Sequence, residues 1–207
     1  MNENLYLGIE LGSTRIKAVL IDSNHDIVAS GNFTWESRLE NGYWTYSLDE
    51  VWEGLRKAYE SLILDFGESI SSLSGIGISA MMHGYLPFNA KGELLTPFRT
   101  WRNTTAGKAA RILTEKLQFM IPERWSAAHL YQAIIDHEEH VDEIAFLTTL
   151  SGYVHYKLTG RKVLGVGDAA GMFPVDGKEF SSDAIRRFSD LIANEGCIRE
   201  VSGADKR

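Results

Sequence analysis

A carboxylate and a run of small residues lie between two apolar stretches near the start of the chain, in the sequence Glu10-Leu11-Gly12-Ser13-Thr14. The Gly-Ser-Thr segment offers backbone amides and two hydroxyls to one point, which suits the oxygens of a phosphate group. Glu10 would repel phosphate unless Mg²⁺ stands between them, because hard cations prefer oxygen ligands and retain several waters. We therefore expect Gly12, Ser13 and Thr14 to bind phosphate and Glu10 to hold Mg²⁺ through water.

The same residues also fit a plain hairpin turn, since small polar residues are common in turns. The spacing matches neither GxxxxGKS/T nor GxGxxG, which excludes the usual phosphate-binding loops. Lys17 lies seven residues after Glu10, and we assign it no catalytic role.

A second group of residues follows a predicted strand at Ser74–Ser79, where the chain reads Met82-His83-Gly84. Ligands commonly bind at the carboxyl ends of strands in α/β sheets. His83 could hydrogen-bond a hydroxyl, and Met82 could pack on the carbon face of a small molecule. The alternative is a histidine that is satisfied within the protein, beside a turn of the core.

These residues must be positioned by an α/β scaffold with a mixed sheet. The pattern predicts three antiparallel strands, then a helix over about 48–64 with a capping box from Ser47 to Glu50. The other predicted elements are strands at Ser74–Ser79, Tyr85–Phe88 and Ile144–Leu147; helices from a cap at Thr104 or Thr105 to about Gln118, from a cap at Ser126 to about His140, over Leu150–Leu158, and from Ser181 or Ser182 to about Ala193; and a glycine-rich loop at Gly165–Gly171.

Composition excludes several classes of function. The net charge of −7 disfavours a broad surface for nucleic acid or anionic lipid, so we expect neither partner. A single cysteine cannot form an internal disulfide, which favours a reducing compartment. The N-terminus has no signal-peptide pattern, and no apolar run approaches the roughly 18 residues that a spanning helix needs. We expect a cytoplasmic protein.

The segment Leu7–Asp22 resembles the first phosphate motif of the FGGY family of carbohydrate kinases, within the actin/hexokinase/Hsp70 superfamily. That motif commonly reads GIDLGTSSVKAVLxD, and Glu10 stands where the family usually has Asp. The matching residues are Gly8, Leu11, Gly12, Lys17, Ala18, Val19, Leu20 and Asp22. Xylulokinase-like members also carry a Met-His-Gly sequence like that of Met82 to Gly84, and the resemblance implies that Met82 and His83 line a sugar pocket.

Two further stretches are similar to this family. Trp101 and Asn103 lie in a segment like the family's Trp-x-Asp, whose Asp binds sugar hydroxyls, and Asn103 replaces that Asp. The resemblance implies that both residues contact the sugar. Asn can donate as well as accept, whereas an ionised Asp only accepts, so the replacement implies a different preferred pattern of sugar hydroxyls. Gly167-Asp168-Ala169-Ala170-Gly171 resembles a family loop that we expect to shape the sugar side of the site.

The resemblance implies an RNase H-like α/β domain with a mixed five-stranded sheet and helices on both faces. It implies an ATP- and Mg²⁺-dependent kinase of a pentulose or related polyol, of which residues 1–207 form the N-terminal, sugar-side domain. The general base and the C-terminal nucleotide-binding domain would lie outside this chain, so we expect it to be inactive alone. The missing C-terminal domain would be a partner of this chain, and formation of a homodimer is left as an open alternative.

Two other functions are compatible with the same scaffold. One is a non-catalytic relative that senses a sugar or acts as a scaffold, which the departures at Glu10 and Asn103 favour slightly. The other is a chaperone-like or actin-like ATPase, against which the Met82-His83-Gly84 and Trp101 segments argue.

Two conspicuous patterns are interpreted as structural. The sequence His137-Glu138-Glu139-His140 does not have the HExxH spacing of zinc proteases, so we interpret it as a solvated helix end. An aromatic cluster is interpreted as packing rather than as the edge of a sugar site. Its members are Trp35, Tyr43, Trp44 and Tyr46.

Overall fold

The computed structural model describes residues 4–194, and the chain in that range forms two compact units. Unit 1 contains residues 4–39 and 45–81, and unit 2 contains residues 40–44 and 82–194. The elements in chain order are β1 (Tyr6–Leu11), β2 (Arg15–Ile21), β3 (Ile27–Thr34), β4 (Arg38–Glu40), β5 (Tyr43–Thr45), α1 (Leu48–Phe66), β6 (Gly75–Ala80), β7 (Leu86–Phe88), α2 (Gly107–Leu117), α3 (Ser126–Ile135), a 3₁₀ helix (Glu139–Glu143), β8 (Phe146–Thr148), α4 (Leu150–Thr159), α5 (Val166–Ala170), β9 (Val175–Asp176), β10 (Glu179–Phe180) and α6 (Ser182–Asn194).

The main sheet lies in unit 1 and has four strands, in the order β3-β2-β1-β6. The first three strands are antiparallel, as predicted, and β6 is parallel to β1. The prediction of a five-stranded sheet is wrong, because the short strands β7 and β8 pair with each other in unit 2. The only helix among the described residues of unit 1 is α1, so within this unit a helix covers one face of the sheet rather than both.

Helix α1 begins and packs as its sequence indicates. The Ser47 hydroxyl accepts from the Glu50 amide at 3.1 Å, and the Glu50 carboxylate accepts from the Ser47 amide at 3.1 Å, which confirms the capping box. The helix packs on β2 and β3, where Gly31 leaves room for its backbone. A Cβ atom on Gly31 would lie 2.1 Å from the Ala58 carbonyl oxygen, so only glycine permits this approach.

The core of unit 2 is built mainly by α2, α3 and α6, which bury Leu113, Tyr131 and Phe188 among other residues. The predicted threonine cap of α2 is wrong, because Ala106 precedes this helix without a side-chain cap. Ser126 does not cap α3 either. Its hydroxyl donates to the Gly84 carbonyl at 2.5 Å, and α3 ends at Ile135 rather than near His140.

The predicted glycine-rich loop at residues 165–171 contains the short helix α5 instead. The prediction that Ser181 or Ser182 starts α6 is confirmed, since the Ser181 hydroxyl accepts from the Ala184 amide at 3.3 Å. Within residues 4–194, no helix is long and apolar enough to cross a bilayer. Predictions that concern Cys197 lie outside the described residues.

Candidate functional site

The candidate phosphate turn of unit 1, defined as Gly12-Ser13-Thr14, is the tip of the β1–β2 hairpin. The Gly12 amide donates to the Arg15 carbonyl at 3.0 Å, so Ser13 and Thr14 form a two-residue loop. Ser13 is half-buried and Thr14 is exposed. No hydrogen bond of the Ser13 and Thr14 amides or hydroxyls is found within the part of the chain that the structure describes. These groups are therefore available to a ligand.

Glu10 lies in β1 rather than in the turn, directly opposite Lys17 of β2. The Lys17 ammonium is 2.9 Å from the Glu10 carboxylate, and about half of each side chain is exposed. Sequence reasoning missed this pair, although the two-residue loop fixes the register that creates it. An exposed pair of this kind contributes at most about 1 kcal/mol to stability, so Lys17 is free to move toward an anion.

The described residues do not form a metal-binding cluster by themselves, since no group of three His, Cys, Asp or Glu side chains converges within residues 4–194. The Glu10 carboxylate lies close to the turn, since a Cβ atom on Gly12 would lie 3.4 Å from its Oε1. This donor set fits a contact through water to a cation that a phosphate ligand brings, and it does not fit a resident metal ion.

The candidate sugar loop of unit 2, defined as Met82-His83-Gly84, presents one ring nitrogen of His83. The His83 Nδ1 atom is 3.0 Å from the Gly171 carbonyl oxygen, which can only accept, so Nδ1 carries the proton and donates. In the uncharged tautomer with its proton on Nδ1, Nε2 has a lone pair that can accept from a hydroxyl. Met82 is 45% exposed, so its side chain is available for contact.

The backbone of this loop requires glycine next to the histidine. Gly84 has φ +95°, and a Cβ atom there would lie 2.8 Å from the Arg99 carbonyl oxygen. His83 itself has φ +70°, which is uncommon for a residue with a side chain. Gly171 also packs tightly, since a Cβ atom on it would lie 2.9 Å from His83 Nδ1 and 3.1 Å from Met82 Cε.

A β-bridge between Tyr85 and Arg99 joins the sugar loop to the Trp101 segment. The Tyr85 amide donates to the Arg99 carbonyl at 2.9 Å, and the Arg99 amide donates to the Tyr85 carbonyl at 3.3 Å. Because the bridge is antiparallel, the residues before Tyr85 and those after Arg99 leave from the same end of it. His83 and Trp101, each two residues from the bridge, are thereby brought to one end of the same element.

Trp101 and Asn103 differ in what they can offer a ligand. Trp101 is 44% exposed, whereas Asn103 is 3% exposed. The Asn103 side chain accepts from the Trp44 amide at 2.8 Å and donates to the carbonyls of Trp44 and Thr100, both at 2.9 Å. A contact of Asn103 with a sugar, as the sequence predicts, would have to displace these bonds. The Arg102 guanidinium lies over the Trp44 ring at 3.8 Å.

Behind the bridge lies a buried ion pair that sequence reasoning missed. The guanidinium of Arg99 donates to both carboxylate oxygens of Glu138, and it lies over the rings of Tyr43 at 4.2 Å and Tyr85 at 5.2 Å. Its side chain is 2% exposed and that of Glu138 is 25% exposed. His140 packs against the same pair, with Nδ1 3.5 Å from Glu138.

The interpretation of His137-Glu138-Glu139-His140 as a solvated helix end is therefore wrong. The segment follows α3 rather than ending it, and Glu138 turns inward to pair with Arg99. The Tyr85 hydroxyl donates to His140 Nε2 at 2.9 Å, since Nδ1 faces the carboxylate and holds the proton. Burial lowers the pKa of His140, and the neighbouring Glu138 opposes that shift only in part.

His129 is a second buried histidine near the bridge, 6.2 Å from Tyr85 between ring centroids. Neither ring nitrogen has a hydrogen-bond partner in the part of the chain that the structure describes. Burial, reinforced by the positive charge of Arg99, lowers the pKa of His129 to about 3. Burial likewise raises the pKa of the Tyr85 hydroxyl. Both groups are neutral at physiological pH.

Known proteins resemble this chain over most of its length. Residues 5–190 match the FGGY family of carbohydrate kinases, N-terminal domain. The chain belongs to this family. The xylulose kinase of Staphylococcus xylosus is 21% identical over 195 residues, a match that covers 88% of this chain and 40% of that protein. The chain thus spans about 40% of the length of the curated relatives that it matches, and these include several xylulose kinases.

Solved structures show the same fold at low identity. The gluconate kinase of Lactobacillus acidophilus has a TM-score of 0.78 at 18% identity, over 93% of this FGGY chain and 40% of that one. The ligand-bound xylulose kinase of the same organism has a TM-score of 0.77 at 18% identity, and the match covers 92% of this chain and 40% of that one. At these identities the likeness shows the mixed α/β fold of the family.

Proposed function

We propose that this FGGY chain is the sugar-side part of an ATP-dependent carbohydrate kinase that transfers the γ-phosphate to a hydroxyl of a pentulose or related polyol. The observation that carries the proposal is the state of His83, whose Nδ1 is used by the Gly171 carbonyl while Nε2 is left to accept a hydroxyl. The relatedness to xylulose kinases supports a ketose as the substrate.

The roles divide between the two units. In unit 1, the amides and hydroxyls of the candidate phosphate turn bind the phosphates of ATP. Glu10 would contact, through water, a Mg²⁺ ion bound to the nucleotide, and that ion would supply positive charge for the transferred group. Lys17, released from Glu10, adds a second positive charge near the phosphates.

In unit 2, His83 accepts a sugar hydroxyl, and Met82 and Trp101 pack on the carbon face of the sugar. Asn103 positions the backbone of Trp44, because its side-chain amide is hydrogen-bonded to the amide and the carbonyl of Trp44. The general base and the adenosine site would lie in polypeptide that corresponds to the part of the relatives that this chain does not match. We therefore expect the chain alone to have little kinase activity.

A sugar-binding relative without catalysis is the second candidate function. The ion pair between Glu10 and Lys17 favours it, because the lysine competes with a cation for the Glu10 carboxylate. This candidate predicts sugar binding that Mg·ATP leaves unchanged.

Calorimetry of the 207-residue chain with D-xylulose, D-gluconate and glycerol, each with and without Mg·ATP, tests the proposal. His83→Asn is the informative variant, since Asn tolerates positive φ and its amide can still donate to the Gly171 carbonyl, while Nε2 is lost. We expect D-xylulose affinity to fall about tenfold. His25→Asn is the matched control, because His25 has φ +69° and is exposed in unit 1.

Equal affinity of the wild type and His83→Asn for every sugar would refute the role of His83. Steady phosphorylation of D-xylulose by the chain alone would show that no further polypeptide is needed. Sugar binding that is unaffected by Mg·ATP would favour the second candidate function.

A further inference from the structure

Two buried aromatic residues hold the backbone of the candidate phosphate turn. The Trp35 indole Nε1 donates to the Gly12 carbonyl at 2.8 Å, the Tyr46 hydroxyl donates to the Ser13 carbonyl, and the Trp35 amide donates to the Thr14 carbonyl at 3.2 Å. All three consecutive carbonyl groups of the turn are thus bound by one pair of residues.

The two residues of the pair are buried, and their rings are in contact. Trp35 is 6% exposed and Tyr46 is 2% exposed. Their ring centroids are 4.3 Å apart, with an interplanar angle of 31°. The sequence pattern placed Tyr43 and Trp44 in the same cluster, but those two residues belong to unit 2. Trp35 and Tyr46 form a separate pair within unit 1.

Fixing these carbonyls also fixes the direction of the amides. A trans peptide group is planar, and its C=O and N–H point in opposite directions. No cis peptide occurs among the described residues. The Gly12 carbonyl shares a peptide plane with the Ser13 amide, and the Ser13 carbonyl shares one with the Thr14 amide. Because both carbonyls point at the buried pair, the Ser13 and Thr14 amides point away from it.

We propose that Trp35 and Tyr46 are positioning residues for the phosphate turn, which they hold with the Ser13 and Thr14 amides open to an anion. The inference rests on the proposed function only for the identity of that anion, a nucleotide phosphate. Neither aromatic residue touches the ligand, and both act through the backbone that they bind. Preorganised amides bind an anion better because no reorganisation is required when it arrives.

The chemistry of the pair distinguishes this role from core packing. Two phenylalanines would bury similar apolar area and keep a ring contact, but they would leave the carbonyls of Gly12 and Ser13 without these side-chain donors. The polar atoms of both aromatic side chains are aimed at the turn. Burial alone therefore does not account for a tryptophan and a tyrosine at these positions.

Conservative variants of the 207-residue chain test the inference. Tyr46→Phe removes one hydroxyl, and Trp35→Phe removes the indole donor but keeps the backbone bond to Thr14. Tyr59→Phe is the matched control, since Tyr59 lies in α1 of the same unit and is 37% exposed. Thermal unfolding of each variant, followed by circular dichroism, gives a temperature at which all of them are folded, and the comparison is made at that temperature.

Two measurements are made on each variant. Amide ¹H–¹⁵N spectra and hydrogen exchange report on Ser13 and Thr14 without ligand, with the β1 and β2 amides as internal references. Calorimetry gives the Kd for Mg·ATP. We expect Tyr46→Phe to shift the Ser13 and Thr14 resonances selectively and to weaken Mg·ATP binding about three- to tenfold, while Tyr59→Phe changes neither.

Unchanged Ser13 and Thr14 resonances and exchange in Tyr46→Phe and Trp35→Phe would overturn the inference, as would changed resonances with an unaltered Kd. If the wild type does not bind Mg·ATP, the proposed phosphate role of the turn fails, and the ligand-free spectra still decide whether the pair orients the amides. Equal changes in Tyr59→Phe would assign the effect to stability and would also overturn the inference.

Discussion

The buried pair of Arg99 and Glu138 leads to a sharp prediction about stability. The Arg99 side chain is 2% exposed and its guanidinium donates to both oxygens of the Glu138 carboxylate. Glu138→Gln removes the charge while keeping the shape, and it leaves Arg99 as a buried cation without a counter-ion. Removing one partner of a buried pair costs about 3–5 kcal/mol.

The expected loss for Glu138→Gln is smaller than that range, because Gln keeps one oxygen that can accept from Arg99 and because the Glu138 side chain is 25% exposed. We expect the free energy of unfolding to fall by about 2–3 kcal/mol. At about 2–4 °C per kcal/mol for a protein of this size, Tm falls by roughly 5–10 °C.

Circular dichroism at 222 nm is a suitable assay, because all helices of the described residues except α1 lie in unit 2. Glu139→Gln is the matched control, since Glu139 is the next residue and is exposed. The double variant Arg99→Met with Glu138→Gln should recover part of the loss, because it no longer buries an unpaired charge. Equal Tm values for Glu138→Gln and Glu139→Gln would refute the reasoning.

Three further predictions concern unit 2. Gly171→Ala should weaken D-xylulose binding about tenfold, because its Cβ would lie 2.9 Å from His83 Nδ1, whereas Gly167→Ala, which meets nothing within 4 Å, should leave calorimetric affinity unchanged. His129→Met should abolish a pH-dependent loss of stability. Because the pKa of His129 is about 3 in the folded protein, wild-type His129 takes up a proton in this pH range only when the protein unfolds. The free energy of unfolding of the wild type, measured by denaturant titration, therefore falls by about 2 kcal/mol between pH 6.5 and pH 5. Asn103→Asp should lower Tm at pH 8 and less at pH 5, because an ionised carboxylate would face two carbonyl oxygens; equal Tm values at pH 8 would contradict this.

Local signals in the sequence predicted much of unit 1. A short apolar run placed β1, alternating apolar residues placed β2, and the turn residues after β2 placed the start of β3. The serine and glutamate of the capping box placed the start of α1. These features depend on residues within a few positions of each other, so a single sequence carries them. The number of strands in the sheet was wrong, because strand pairing depends on the whole chain and three-residue strands such as β7 and β8 carry little pattern.

Long-range partners explain what the sequence did not reveal about the candidate site. Arg99 and Glu138 are 39 residues apart, and Asn103 and Trp44 are 59 residues apart. The types of these residues are compatible with an exposed surface, and only the fold shows that they are buried and paired. By contrast, Lys17 was within reach of sequence reasoning, since the two-residue loop at Ser13 and Thr14 sets its register against Glu10.

The hydrogen-bond donors and acceptors that a side chain leaves unused within the protein separate residues that the motifs group together. His83 uses one nitrogen to hold its ring and leaves the other available. Asn103 donates both hydrogens of its amide nitrogen to the carbonyls of Trp44 and Thr100, and an ionised Asp has no hydrogen to donate there. Hydrogen bonds to the local backbone therefore account for an Asn at position 103, where the family usually has Asp.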